Sequence, residues 1–284
     1  MLLFSDSNIK RFWCFGGFLF FRTLFHCMKL KFLGTGGGRF VTGSQRRKTG
    51  GILAITDETQ IHIDPGPGGL IQAQDNKPED TEAVIVSHAH LDHSNDSEPL
   101  IEMMAYIHDH PGALFANETC LAGYSDMEKC ISDYHQNLCR TVETLEEDFE
   151  TEFKDLKIRS QEMFHSDPKT QGFVLETDEK SIGFWTDTEF SEELVDFYSG
   201  CDTIVIYCNR PTGETLEGHT SLDEVPDIVE AVQPSTVIIT DFGYKFLNQD
   251  LDEEKEWLED NIDAKVVFAE DGMEFPGNRS LGDF

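Results

Sequence analysis

Hydrophobic and polar positions alternate along this chain in short blocks, and most blocks have the period of strands. Residues 28–33 (MKLKFL) predict a strand running into a flexible loop at Gly34, Gly36, Gly37 and Gly38. Residues 51–56 and 60–63 predict two further strands, the second ending at Asp64-Pro65-Gly66. The run 83–87 (AVIVS) is apolar at successive positions, as a strand buried on both faces must be. Leu100, Met103, Met104 and Ile107 have helical spacing over 99–107. Residues 117–150 are polar and mixed, and a helix is predicted from 127 to about 144. Strands follow at 172–176, 181–186, 203–207, 236–240 and 264–268. Helices are predicted at 221–232, with Ser221 and Glu224 spaced as a capping box, and at 250–262. Many strands with few interposed helices, and no repeat or linker, point to one α+β or layered α/β domain.

Composition sharpens this. The 284 residues are 39% hydrophobic and 11% aromatic, enough for a sizeable core. The net charge is −32, which argues against a general nucleic-acid binder. The acid excess is spread along the chain, a pattern expected of proteins from salt-accumulating halophiles, where molar salt screens self-repulsion. Residues 1–27 differ: they carry +2 against −34 for the rest, and 12–25 are apolar around Arg22. That stretch is too short to span a bilayer well. The expectation is that residues 1–27 are a non-native or disordered extension, that Met28 is the true start, and that 28–284 form the domain. Seven cysteines at 14, 27, 120, 130, 139, 201 and 208, with no CxxC, predict neither a disulfide framework nor a zinc module. Scattered reduced thiols suit a cytoplasmic setting.

The chemistry concentrates in Ser87-His88-Ala89-His90-Leu91-Asp92-His93, directly after the buried strand. Imidazoles at i and i+2, with Asp and His at i+4 and i+5, can converge from a tight turn. Imidazole and carboxylate together suit zinc, manganese or iron. The isolated His62, His108, His110 and His135 read as packed or solvated side chains, with His135 also in a position suited to a lid loop.

With these residues the chain resembles the metallo-β-lactamase fold superfamily from Met28 to about Gly277, and its later motifs resemble the tRNase Z-like branch with its phosphodiesterase relatives. The resemblance implies an α/β fold, a four-layered αβ/βα sandwich with the metal site at one edge between two sheets. It implies that Asp64, in HIDPGPG, braces the ligand loop. His165 is similar to the third histidine of a first metal site with His88 and His90. Asp187, in GFWTDTEF, is similar to the carboxylate that bridges two metals, with Asp92 and His93 on the second. His219, in GHTSLDEV, resembles a histidine placed near the scissile phosphate. Asp241 stands where this branch normally has a histidine closing the second site. The second set is then Asp92, His93, Asp187 and Asp241, oxygen-richer and more open to manganese than the zinc expected at the first.

The implied cofactors are two divalent metal ions, zinc at the first site and zinc or manganese at the second. Ions about 3.5–4 Å apart acidify a bridging water to hydroxide at neutral pH. Asp92 would orient that nucleophile and take its proton, and His219 would protonate the leaving oxygen. The favoured function is a phosphodiesterase acting on a small-molecule or oligonucleotide phosphodiester, with no membrane partner and a homodimer left open. The alternatives are a tRNA 3′-processing endonuclease, a glyoxalase II-type thioester or ester hydrolase, and a non-hydrolytic metal-binding sensor. Residues 97–164, the candidate tRNA-gripping insert, carry a net charge of −10 and make a poor RNA clamp. The basic residues Arg39, Arg46, Arg47 and Lys48 are weak candidates for substrate phosphate contacts.

Overall fold

The computed structural model describes residues 28–107 and 111–276. The expectations for residues 1–27, with Cys14 and Cys27, and for His108 and His110 lie outside the described residues. Among the described residues, one sheet is built from β1 (Lys29–Phe32), β2 (Ile52–Ile55), β3 (Gln60–Ile63), β4 (Ala83–Val86), β5 (Ala113–Asn117), β6 (Thr141–Leu145) and, from the far end of the chain, β15 (Glu274–Phe275). Its order is β15-β1-β2-β3-β4-β5-β6, antiparallel up to β3 and parallel from β3 to β6. The second sheet contains β7 (Glu150–Phe153), β8 (Leu156–Glu162), β9 (Gln171–Glu176), β10 (Ser181–Trp185), β11 (Thr203–Arg210), β13 (Thr236–Thr240) and β14 (Lys265–Phe268). Its order is β14-β13-β11-β10-β9-β8-β7, with the short β12 (Thr220–Ser221) paired to β11.

The alternation of side chains along the strands makes four layers. Ala83, Ile85, Ala113 and Phe115 face inward and meet Phe173, Leu175, Phe184, Val205 and Ile238 of the second sheet in the central core. Their neighbours Val84, Val86, Leu114 and Ala116 face outward, against Leu100, Ile101 and Met104 of a helix at Ser97–Tyr106. On the far side Ile204, Ile206, Val237 and Ile239 pack under Val225, Ile228, Val229 and Val232 of the helix Val225–Val232, and Leu258 of the helix Leu251–Asn261. Both faces of β4 are thus covered, which is why AVIV carries no polar residue. The capping box at Ser221 and Glu224 forms, on a single 3₁₀ turn that leads into the helix at Val225.

The stretch 127–144 departs from its predicted helix. Only Asp133–Leu138 is helical, capped by Ser132, and the chain then extends into β6. β6 and β7 are sheet-edge strands with half-exposed, polar-rich faces, so they lack the apolar run that marks β4. The candidate RNA-gripping insert is also not an arm. Residues 97–164 supply β5 to β8, the last two strands at one edge of each sheet. No described helix is long and apolar enough to cross a membrane.

Candidate metal centre

Strand direction gathers the polar residues at one rim. Strands β3, β4, β10 and β13 each end there, and Asp64, the Ser87–His93 turn, Asp187 and Asp241 follow those ends. β9 runs antiparallel to β10, so His165, in the loop before β9, comes to the same rim. His219 directly precedes β12, which pairs with the end of β11.

Three imidazole nitrogens converge. His88 Nε2 and His165 Nε2 each lie 3.1 Å from His90 Nδ1. Tetrahedral zinc with Zn–N bonds of 2.0–2.1 Å would space its nitrogens by about 3.3–3.4 Å. Asp187 Oδ2 stands 3.6 Å from His88 Nε2 and 3.8 Å from His165 Nε2. The same oxygen is 3.5 Å from His93 Nε2, whose other neighbours are Asp92 Oδ2 at 3.6 Å and Asp241 Oδ1 at 3.9 Å. His88, His90, His165 and Asp187 form one group, and Asp92, His93 and Asp241 a second, each with its donor atoms within 4.8 Å of one another. Asp187 lies between them. His219 Nδ1 faces its other oxygen, Oδ1, at 3.4 Å.

The donor set fits divalent cations. Within the donor set, His93 Nε2, Asp187 Oδ1 and Asp241 Oδ2 are buried and have no hydrogen-bond partner. Orphaned polar atoms of this kind are costly unless something else binds them. Burial, followed by the neighbouring His93 and His165, holds the His88 imidazole well below its usual proton affinity. Burial also lowers His90 and His165. Neutral imidazoles with bare nitrogens are what a metal requires. On His93 burial opposes charge, but Asp92, Asp187 and Asp64 outweigh it and raise its proton affinity well above normal. Burial would raise Asp187, yet His219 and His93 hold it well below the usual carboxylate range. Asp241 is pushed up to about 8 by burial and by Asp187. A buried carboxyl among carboxylates invites a cation.

Outer hydrogen bonds set the tautomers and hold the turn. Asp64 accepts from Ser87 N at 2.7 Å, Ser87 Oγ at 2.8 Å and Tyr207 Oη at 3.0 Å. Since the Ser87 hydroxyl donates to Asp64, the His88 Nδ1–H at 3.0 Å donates to Ser87, which leaves Nε2 bare toward the cluster. His165 Nδ1–H donates to Gly218 O at 2.6 Å with the same result at its Nε2. Gly66, in the Asp-Pro-Gly turn, must be glycine, because a Cβ there would lie 1.9 Å from Asp92 O.

The residues the sequence marked as ligands, with Asp64 and His219, are thus brought to one place. Two of the four basic candidates are tied up by other protein groups. Arg46 donates to Asn248 Oδ1 and Leu247 O, and Arg47 to Thr35 Oγ1 and Ala269 O, so both guanidiniums are engaged by the protein itself. Lys48 and Arg39 are exposed. His62 is fully buried against Gly50 O, and His135 lies between Glu98 and Glu102.

Asp167 was not marked. It is fully buried, and its carboxylate accepts from Ala89 N, Asn117 Nδ2, Thr119 Oγ1 and Lys169 N. It therefore grips the peptide between His88 and His90. The available signal was its place two residues after His165 in His-Ser-Asp-Pro.

A family model described as "Beta-lactamase superfamily domain" matches residues 59–242. An uncharacterized protein of Methanocaldococcus jannaschii is 30% identical over 251 residues, covering 87% of this chain and 94% of that protein. Among solved structures, the metallo-beta-lactamase fold protein YhfI of Bacillus subtilis matches with a TM-score of 0.74 at 17% identity, over 87% of this chain and 98% of its own. A diphosphatase from the PhnP family matches at 0.66 and 18% identity, over 88% and 97%. At these identities the structures share the fold.

Proposed function

The chain belongs to the beta-lactamase superfamily of metallo-hydrolases, and we propose that it is a phosphodiesterase using two divalent ions. His88, His90 and His165 would hold one ion, Asp92, His93 and Asp241 the other, and Asp187 both. The observation that carries this reading is the position of Asp187 Oδ2, within 3.5–3.8 Å of imidazole nitrogens from both groups. The histidine-rich group suits zinc, and the oxygen-rich group suits zinc or manganese. Bound there, the ions would supply an acidified water and positive charge facing the phosphoryl oxygens.

The protein's own groups do the rest. The Gly38 N–H fixes Asp92 Oδ2 at 2.5 Å, so the carboxylate is aimed before substrate arrives. Asp92 orients the attacking water and takes its proton as the new P–O bond forms. His219 turns Nδ1 to Asp187, which leaves Nε2 on the opposite side of the ring. From there it gives a proton to the ester oxygen as the old P–O bond breaks. The likeness in fold to a diphosphatase supports phosphoryl chemistry.

The test is an assay of metal-loaded protein on bis-p-nitrophenyl phosphate, a thioester and a precursor tRNA, with zinc or manganese, in 2–3 M KCl. Metal-dependent cleavage of the diester is expected. Cleavage of the thioester alone would assign the glyoxalase-type alternative, and cleavage of the tRNA alone the endonuclease.

A further inference from the structure

Beside the metal centre stands a cation that the proposed hydrolysis does not use. β11 ends at Arg210, and its pairing with β12 sets Arg210 opposite Ser221, two residues beyond His219. The guanidinium is half-buried. Among the described residues it makes no ion pair, although acids outnumber bases by 32. Arg159, also half-buried, is paired with Glu176 at 2.8 Å. The nearby Glu214 is taken by Lys245 at 2.6 Å.

Arg210 is also held in place. Its Nη1 donates to Asn209 Oδ1 and to Asn209 O. Asn209 is 3% exposed and wedged between two turns of the rim. A Cβ on Gly38 would lie 3.4 Å from its Nδ2, and one on Gly243 would lie 2.5 Å from its Oδ1. Gly38 is the residue whose N–H fixes Asp92. Asn209 therefore lies between the turn that fixes Asp92 and the guanidinium. The loop beyond is anchored too, by Thr212 N and Oγ1 on Glu254 and Gly213 N on Asp223.

We propose that Arg210, positioned by Asn209, is an anion subsite that takes a phosphoryl oxygen of the substrate and selects phosphoesters over carboxylic esters and thioesters. The identity of the bound group rests on the phosphodiesterase reading above. A phosphodiester is an anion before any bond changes, with two non-bridging oxygens that a planar guanidinium fork matches. A carboxylic ester or thioester is neutral in that state and leaves a half-buried guanidinium without a counter-charge.

The experiment uses the metal-loaded full chain, Arg210→Gln and Arg210→Lys, with metal content counted for each. Phenylphosphonate and the neutral ester methyl benzoate are titrated by calorimetry at one salt concentration. Arg210→Gln is expected to weaken phenylphosphonate by about 10- to 100-fold, the range for hydrogen bonds to a charged group, with methyl benzoate affinity and metal content unchanged. Arg210→Lys keeps the charge and loses the fork, and falls between. Should Arg210→Gln fail to fold, Arg210→Lys carries the test through a severalfold loss. Equal phenylphosphonate affinity in parent and folded variant overturns the subsite, whatever the diester assay gives. A parent that binds phenylphosphonate through Arg210 and cleaves no phosphodiester overturns the phosphodiesterase reading alone.

Discussion

The Asp241 carboxylate occupies the space that a side chain on Gly37 would need. A Cβ on Gly37 would lie 2.0 Å from Asp241 Oδ1 and 2.1 Å from Oδ2. The turn cannot move aside easily, because Gly37 N donates to Phe242 O and Phe242 N to Thr35 O, on either side of the contact. Gly37→Ala is therefore expected to fold and to push the carboxylate away from His93. Affinity for the second ion should fall by about 10-fold or more, as for loss of groups that orient a ligand, while the first ion stays. Metal counting after dialysis checks this, and two ions held as tightly as in the parent would contradict it.

Much of this site was legible because its ligands fall in short local patterns. His88, His90, Asp92 and His93 share one turn after a strand whose unbroken AVIV run announces burial on both faces. The supports were not legible in the same way. Asp167 acts on Ala89, Asn117 and Thr119, which lie 78, 50 and 48 positions away, so no local pattern reveals it. Arg210 belongs to no local motif, and only the pairing of β11 with β12 sets it opposite Ser221, two residues beyond His219. The error at 127–144 has the same origin. Thr141–Leu145 is a strand because β5 offers a parallel edge, not because of its own alternation.

Asp167 should matter to both stability and metal affinity. Its two oxygens face four donors: Ala89 N at 3.0 Å, Asn117 Nδ2 at 2.9 Å, Thr119 Oγ1 at 2.6 Å and Lys169 N at 3.0 Å. Asp167→Asn turns one acceptor into a donor and leaves donors facing donors. A buried unsatisfied group costs about 1–3 kcal/mol, so urea denaturation should show a loss in that range, with weaker metal retention at the His88–His90 turn. An unchanged midpoint and metal content would show that the turn holds its shape without Asp167.

His62 predicts an acid sensitivity. Burial lowers it to about 4, against the opposing pull of Gly50 O, Asp96 and Asp64. Above its ordinary value of 6.5 it is neutral in the folded and unfolded chain alike. Between 6.5 and about 4 only the unfolded chain takes up the proton, so stability falls as pH drops through that window. The full effect is up to about 3 kcal/mol at about 1.4 kcal/mol per unit. His62→Gln keeps a donor for Gly50 O and cannot titrate. Its denaturation midpoint should fall less than the parent's between pH 7 and 4.5, and parallel slopes would count against the assignment.

His219→Ala should leave metal content intact and slow diester turnover by about 10²–10⁴-fold, the usual range for a proton donor. The residue faces Asp187 at 3.4 Å and stands outside both groups of converging donor atoms. A diester with a p-nitrophenolate leaving group needs little protonation, so the loss should shrink on that substrate relative to an alkyl ester. Loss of an ion in the variant would make His219 a ligand instead.

Asp241 decides the character of the second ion. It follows β13 with φ at 60°, a left-handed conformation that Asp adopts more readily than most residues and that His also tolerates. Its Oδ1 lies 3.9 Å from His93 Nε2, and its Oδ2 is buried without a partner. With Asp92 and Asp187 it makes the second set three carboxylates and one imidazole, a donor set that favours a harder cation than two imidazoles would. Asp241→Ala should therefore empty the second site and leave the ion at His88, His90 and His165. Asp241→His should bind a second ion again, with zinc favoured over manganese relative to the parent, because the second set then holds two imidazoles. Competition between the two metals, read by elemental analysis, separates these outcomes. If Asp241→Ala holds two ions as tightly as the parent, Asp241 is not a ligand, and the second ion rests on Asp92, His93 and Asp187 alone.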